Sequence, residues 1–140
     1  MMKKTGKLAL KQLLTSLPED YAGDGWASAI DIHPEGHTLY VSNRKHDSIT
    51  VYHLDEATGN MTYIQNIKTG GEQPRFITLN RKAPDFAANE LSDTITVFEI
   101  LKDGTLKRYR KEVSLTEKSG VHCMEKPVST RCREKFQIRT

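Results

Sequence analysis

Two arginines, a histidine and a glutamate lie where chemistry is most readily placed, in predicted loops beside strands. Arg44 and His46 follow the segment that ends at Asn43, Arg75 follows a Gly-Gly-Glu-Gln-Pro stretch, and Glu90 follows a second asparagine. A guanidinium group can bind phosphate or carboxylate through paired hydrogen bonds. Imidazole and carboxylate groups commonly transfer protons. The set could therefore bind an anion and move a proton, although each residue taken singly is more simply a solvated or salt-bridged surface residue.

These residues are carried by two copies of one strand-rich unit. Ile49-Thr50-Val51-Tyr52 recurs as Ile95-Thr96-Val97-Phe98, and Asn43 recurs 46 residues later as Asn89. Strand-like repeats of this period are typical of propeller blades, and one blade cannot bury its own apolar faces. The sequence predicts an all-β fold, namely a β-propeller fragment of about two four-stranded antiparallel blades with a partial outer strand and an irregular tail.

Alternating apolar residues and turn signals place four strands in each copy. The first copy is expected to contain strands over residues 27–33, 38–43, 48–54 and 61–67. The second copy is expected to contain strands over residues 76–79, 86–89, 94–100 and 106–113. Pro84 and Asp85 fall where the first copy has strand residues, so a distorted hairpin is expected there.

The two ends of the chain fit the repeat less well. Residues 7–14 are predicted to form the outer strand of a preceding blade, although their leucines also fit one face of a helix. Residues 121–124 could begin a further inner strand before a disordered tail. We divide the chain into an outer strand and loop at 1–26, blade repeats at 27–73 and 74–116, and a partial strand with a tail at 117–140.

Blade topology determines which loops lie together. Strand direction reverses at each turn, so the loop that enters a blade and the loop between its second and third strands share one end. The loops at this end cover residues 18–26, 43–47, 70–75 and 89–93. The topology therefore predicts that Arg44, His46, Arg75 and Glu90 lie on one rim.

Composition excludes several classes of function. The net charge of +3 over 140 residues is dispersed, unlike the concentrated basic face with aromatics of a nucleic-acid binder. No apolar run approaches the ~20 residues of a membrane span, and Lys7 and Lys11 interrupt any signal-peptide core. We expect no nucleic-acid or membrane partner and a cytoplasmic location. Cys123 and Cys132 lack the spacing of a zinc site and are expected to be free thiols, with a disulfide left open.

Several motifs carry a resemblance to a known family. They are Leu17-Pro18-Glu19-Asp20, Ala29-Ile30-Asp31-Ile32-His33-Pro34-Glu35-Gly36, Leu39-Tyr40-Val41-Ser42-Asn43-Arg44, Thr69-Gly70-Gly71 and Gln73-Pro74-Arg75-Phe76. Over about residues 7–110 the chain resembles the seven-bladed β-propeller lactonases, which include one type of 6-phosphogluconolactonase. A member of this family is normally more than twice as long, and the resemblance covers its C-terminal portion.

The resemblance implies a function for the rim. Arg44 and Arg75 would face the cleft and hold a small anionic sugar lactone, with His46 and Glu90 as weaker catalytic candidates. Asn43 and Asn89 are further candidates for substrate binding. The implied reaction is hydrolysis of 6-phosphoglucono-1,5-lactone to 6-phosphogluconate in the pentose phosphate pathway. The sequence shows no phosphate loop, nucleophile elbow or metal pattern, and no metal or cofactor is expected.

The small number of repeats leaves two alternatives open. An open stack of two blades has unpaired strand edges and no closed channel. The chain could therefore be a non-catalytic binding or assembly module that associates with the missing blades or with itself. It could also be a decayed remnant that hardly folds.

Overall fold

Two four-stranded antiparallel sheets make up the computed structural model, which describes residues 9–79 and 85–114. The first sheet contains β1 (Ala27–Ile32), β2 (Thr38–Asn43), β3 (Ser48–Leu54) and β4 (Met61–Lys68). The second contains β5 (Pro74–Thr78), β6 (Asp85–Asn89), β7 (Thr94–Ile100) and β8 (Leu106–Ser114). Each sheet keeps its strands in chain order. The predicted all-β architecture of two four-stranded blades is confirmed.

Turn residues with a left-handed backbone join the strands. Gly36 and Gly59 have φ values of 88° and 67° in the turns after β1 and β3. Asp47 and Asp93 have φ values of 50° and 51° in the loops before β3 and β7. Among residues with a side chain, aspartate and asparagine tolerate this conformation best. The same turn is therefore encoded at the same place in both sheets.

The two sheets pack face to face around one apolar core. Buried residues of both sheets form it, namely Tyr40, Ile49, Val51, Ile77, Ala87, Phe98 and Leu106. A polar contact crosses the same interface, because the Tyr40 hydroxyl donates a hydrogen bond of 2.8 Å to the carbonyl of Gly104. Since side chains alternate along a strand, the opposite face of the first sheet carries a second cluster of Leu39, Val41 and Tyr52.

A glutamine side chain joins the outer strand of one sheet to the outer strand of the other. Gln65 in β4 donates from Nε2 to the carbonyl of Leu106 at 3.0 Å, and its Oε1 accepts from the Leu106 N–H at 2.7 Å. The same arrangement recurs one blade earlier. Gln12 donates to the carbonyl of Met61 at 2.9 Å and accepts from its N–H at 2.7 Å. Residues 9–17 thus lie against the first sheet much as β4 lies against the second.

The predicted outer strand over residues 7–14 is wrong for the described residues 9–14, which form no strand. A strand requires a neighbour for its ladder of backbone hydrogen bonds. None of the eight strands pairs with this segment, so side-chain contacts hold it instead. The Tyr52 hydroxyl, for example, donates to the carbonyl of Thr15 at 2.7 Å.

Other boundaries shift by one or two residues. The inner strand β5 begins at Pro74 rather than residue 76, and β6 begins at Asp85 rather than residue 86. The center of the predicted distorted hairpin, residues 80–84, lies outside the described residues, as do 117–140 with the expected partial strand and tail. The division into domains stays a prediction. Within the described ranges no helix is long and apolar enough to cross a membrane.

We expect Tyr40→Phe to lower the free energy of unfolding by about 1 kcal/mol. The change removes the hydrogen bond between the sheets while keeping the ring in the core. Burial raises the pKa of Tyr40, so the hydroxyl remains a donor throughout the neutral range. Urea denaturation followed by circular dichroism measures the loss. Tyr63→Phe is the matched control, because the Tyr63 side chain is half exposed. An equal loss in both variants would contradict the role given to the Tyr40 hydroxyl.

Candidate functional site

Arg44 and Glu90 occupy the same position in the two sheets. Each follows the asparagine that ends the second strand of its sheet. Each backbone N–H donates to the residue that precedes the inner strand, Arg44 to Trp26 at 2.8 Å and Glu90 to Gln73 at 3.0 Å. The repeat therefore places a cation and an anion at equivalent points on neighbouring blades.

The Glu90 carboxylate joins both arginines. Its Oε2 accepts a hydrogen bond from Nη2 of Arg44, and its Oε1 accepts from Nη1 of Arg75 at 2.7 Å. The Arg44 and Glu90 side chains are 23% and 29% exposed, whereas that of Arg75 is 52% exposed. The structure thus brings three of the four residues of the predicted rim into one charged cluster, which we call the Arg–Glu–Arg cluster (Arg44, Glu90 and Arg75).

Two residues that sequence reasoning did not select hold Arg44 in place. Gln73 accepts a hydrogen bond from Nη2 of Arg44 at 2.8 Å, and the guanidinium carbon lies 5.4 Å from the center of the Trp26 ring. A cation over an indole face is stabilised by the ring quadrupole. Both residues directly precede the inner strand of their sheet. Their shared position, directly before the inner strand, indicates in the sequence that both residues lie on the same rim as Arg44 and Glu90.

His46 lies on the neighbouring part of the loop but outside the cluster. Its Nδ1 is 2.8 Å from Oγ of Ser48, and its ring center is 4.5 Å from that of Tyr21. Partial burial and the nearby Lys68 ammonium lower the pKa of His46. Within the described residues no hydrogen bond joins His46 to either arginine or to Glu90.

Asn43 and Asn89, predicted as substrate-binding residues, are buried inside their sheets. The Asn43 amide donates to Thr50 at 3.0 Å, and the Asn89 amide donates to Thr96 at 3.1 Å. Buried amides are costly unless they are hydrogen-bonded, and here the bonds tie the end of each second strand to the third. Both asparagines therefore position the residue that follows them.

A family model described as "Lactonase, 7-bladed beta-propeller" matches residues 1–123. The chain belongs to this lactonase family. A protein of Bacillus subtilis named 6-phosphogluconolactonase is 30% identical over 89 residues, which are 63% of this chain and 26% of that protein.

Solved structures share the fold of this chain. A protein from Lactobacillus plantarum superposes with a TM-score of 0.68 at 33% identity, covering 76% of this chain and 32% of its own. The fold is also shared with a protein titled as the periplasmic gluconolactonase of Pseudomonas aeruginosa, with a TM-score of 0.66 at 23% identity over 71% of this chain and 28% of that one. The chain thus spans about a third or less of the proteins it matches.

The Arg–Glu–Arg cluster has the chemistry of an anion site. Two guanidinium groups and one carboxylate leave one positive charge, with N–H donors that suit phosphate or carboxylate oxygens. Lys45 adds a further cation, since its Nζ lies 5.0 Å from the Trp26 ring center. Positive charge on one rim favours the approach of an anionic ligand.

We expect NMR titration to give His46 a pKa below the ordinary value of about 6.5. Because folding lowers this pKa, the neutral ring contributes its stability above the ordinary value, and that contribution declines as the pH falls below it. Lys68→Met should move the pKa upward by removing one cause of the shift. Lys102→Met removes the same charge from the turn between β7 and β8 of the second sheet and should leave the pKa unchanged. A His46 pKa above the ordinary value in the unsubstituted protein would contradict this account.

Proposed function

We propose that this chain carries part of a lactone hydrolase site, which holds an anionic sugar lactone at the Arg–Glu–Arg cluster. The single observation that carries the proposal is the meeting of two arginines from neighbouring blades on one rim. The name of the Bacillus subtilis relative favours 6-phosphoglucono-1,5-lactone as the substrate. The product would be 6-phosphogluconate.

The reaction requires a binding group for the anion and stabilisation of developing negative charge. Water attacks the lactone carbonyl carbon, the carbonyl oxygen becomes an oxyanion, and the ring C–O bond then breaks. One proton from water passes to the departing ring oxygen, and the other is released as the carboxylate forms. Arginine N–H groups fixed in a partly buried site stabilise an oxyanion or a phosphate without reorganising.

Proton transfer falls to Glu90 or His46 in this proposal. The Glu90 carboxylate lies within the cluster, but both of its oxygens accept hydrogen bonds from arginines. His46 is neutral near pH 7 because its pKa is lowered, so it is available as a proton acceptor from a neighbouring loop. Carboxylate and imidazole groups of this kind are suited to general-base work.

A phosphorylated substrate also supports the cytoplasm as the site of the reaction. Moving charged groups into the hydrocarbon of a membrane is very costly, so a sugar phosphate remains in the compartment where it is made. The periplasmic location named for the Pseudomonas aeruginosa protein belongs to a gluconolactonase. Cell fractionation with detection of this chain distinguishes the two compartments.

We expect Arg44→Gln and Arg75→Gln each to weaken binding of 6-phosphogluconate about tenfold or more, since each removes one positive charge from the proposed anion site. Isothermal titration calorimetry or amide chemical shifts measure the affinity. Arg108→Gln is the matched control, because it removes the same charge from an exposed position in β8. Equal affinities for all four proteins would contradict the proposal.

Hydrolysis is measured separately in a pH-stat with the lactone as substrate. Under the proposal the purified chain raises the rate above spontaneous hydrolysis, and Arg44→Gln and Arg75→Gln remove that increase. Product binding without any increase in rate would limit this chain to the binding half of the site and place the catalytic groups on other blades.

Apolar exposure favours assembly as a second function. Leu10 and Leu13, three residues apart in the segment 9–17, are each 85% exposed. In residues 9–17 these leucines lie on the segment that occupies the place of an outer strand, where a preceding blade would cover them. Exposed apolar residues grouped in this way mark interaction surfaces.

We expect the chain to associate through this surface in a concentration-dependent manner. Sedimentation velocity over a wide concentration range should show species larger than a monomer. The double change Leu10→Asn and Leu13→Asn should shift the population toward monomer, whereas Leu101→Asn, in the turn between β7 and β8 of the second sheet, should not. A monomer at every concentration would exclude this second function.

A further inference from the structure

The Glu90 carboxylate occupies the place between the two guanidinium groups that a bound anion would require. We infer that Glu90 is a resident counter-anion that determines which anions the rim accepts, and that Arg75 is the arginine that exchanges Glu90 for a ligand. This inference rests on the proposed function, because it takes the Arg–Glu–Arg cluster as the anion site.

Glu90 is held as a fixed acceptor. Its backbone N–H donates to Gln73 at 3.0 Å, and the preceding Asn89 is locked by its amide bond to Thr96. Its side chain is only 29% exposed while both oxygens face arginines. A carboxylate held in this way competes with any ligand oxygen for the same N–H donors.

The two arginines are held very differently. Arg44 is anchored by Glu90, by Gln73 and by the Trp26 ring, and its Nε is buried without a partner among the described residues. The Arg75 side chain is 52% exposed, and among residues 9–79 and 85–114 its guanidinium forms one ion pair, to Glu90. Breaking a single ion pair of a half-exposed arginine costs little free energy. Arg75 can therefore turn to a ligand while Arg44 keeps Glu90 in position.

The negative charge of Glu90 affects the binding of ligands according to their own charge. With Glu90 ionised, the cluster retains one positive charge rather than two. A phosphate monoester carries about −1.5 to −2 charges at pH 7, so it is repelled by Glu90 more strongly than a carboxylate is. Glu90 thus lowers affinity for phosphate more than affinity for monoanions and acts as a determinant of specificity.

The test compares Glu90→Gln with Glu72→Gln. Both substitutions remove one negative charge from the same rim, but the Glu72 side chain is exposed and belongs to neither the cluster nor the proposed catalytic groups. The probes are inorganic phosphate and acetate at constant ionic strength, measured by chemical-shift titration. Glu90→Gln should raise phosphate affinity at least about tenfold and acetate affinity less, because close like charges cost up to several kcal/mol. Glu72→Gln should change either affinity about twofold at most, since exposed charges are screened.

Two further measurements test the division between the arginines. On titration with phosphate, the side-chain Nε–H signal of Arg75 should move, whereas that of Arg44 should stay in place. The double variant Glu90→Gln and Arg75→Gln should lose the gain in phosphate affinity. Thermal unfolding of each variant verifies that the fold is intact, and Glu90→Asp, which retains the charge, should keep the low phosphate affinity if Glu90→Gln unfolds.

The outcomes separate this inference from the proposed function. Unchanged or weaker phosphate binding by a folded Glu90→Gln variant overturns the inference, while loss of 6-phosphogluconate binding in the single arginine variants still supports the function. Equal gains from Glu72→Gln and Glu90→Gln also overturn it, because the effect would then be one of general charge. Absence of binding of every anion to every variant overturns both.

Discussion

The apolar contact between the two sheets is the constraint on which the rest of the structure depends. Tyr40 and Phe98 lie at its center with 0% and 1% exposure. A contact of this kind allows little sliding, because buried side chains interdigitate at close-packed density. It therefore fixes the spacing of equivalent loops on neighbouring blades, and Arg44 and Glu90 come within ion-pair distance at a separation of one repeat. The charged cluster on the rim is a consequence of the core beneath it.

Hydrogen bonds of polar residues inside each sheet hold the loops of the rim in place. Asn43 and Asn89 end the second strands and bond to threonines of the third strands. Asp47 extends the connection to the next blade, since its Oδ1 accepts from the Gln73 N–H at 2.7 Å. Gln73 has a left-handed backbone with φ of 55° and accepts a bond from Arg44. A strained backbone of this kind persists only where surrounding contacts hold it in place. Here these contacts come from the loops after β2 and β6, which carry Arg44 and Glu90.

Local pattern predicted the strands best where both faces of a strand are buried. The bounds of β2, β3 and β7 agree with the sequence prediction because apolar residues and turn signals agree there. The segment at residues 9–14 has strand-like composition, yet it lacks a neighbour to pair with. Topology also predicted a shared rim, but the period alone could not show that Glu90 bridges two arginines. That contact depends on the distance between blades and on side-chain direction, which a linear pattern does not contain.

The charged cluster lies at a position where the two copies of the repeat differ. Equivalent positions with the same residue, such as Asn43 and Asn89, perform the same structural task twice. Arg44 and Glu90 are equivalent in backbone bonding but opposite in charge. A ring of identical cations at this position would repel itself, whereas alternation lets one blade neutralise part of its neighbour. The charged cluster therefore forms where the repeat is broken, and its net charge depends on Arg75 and on the residue that follows the asparagine of each blade.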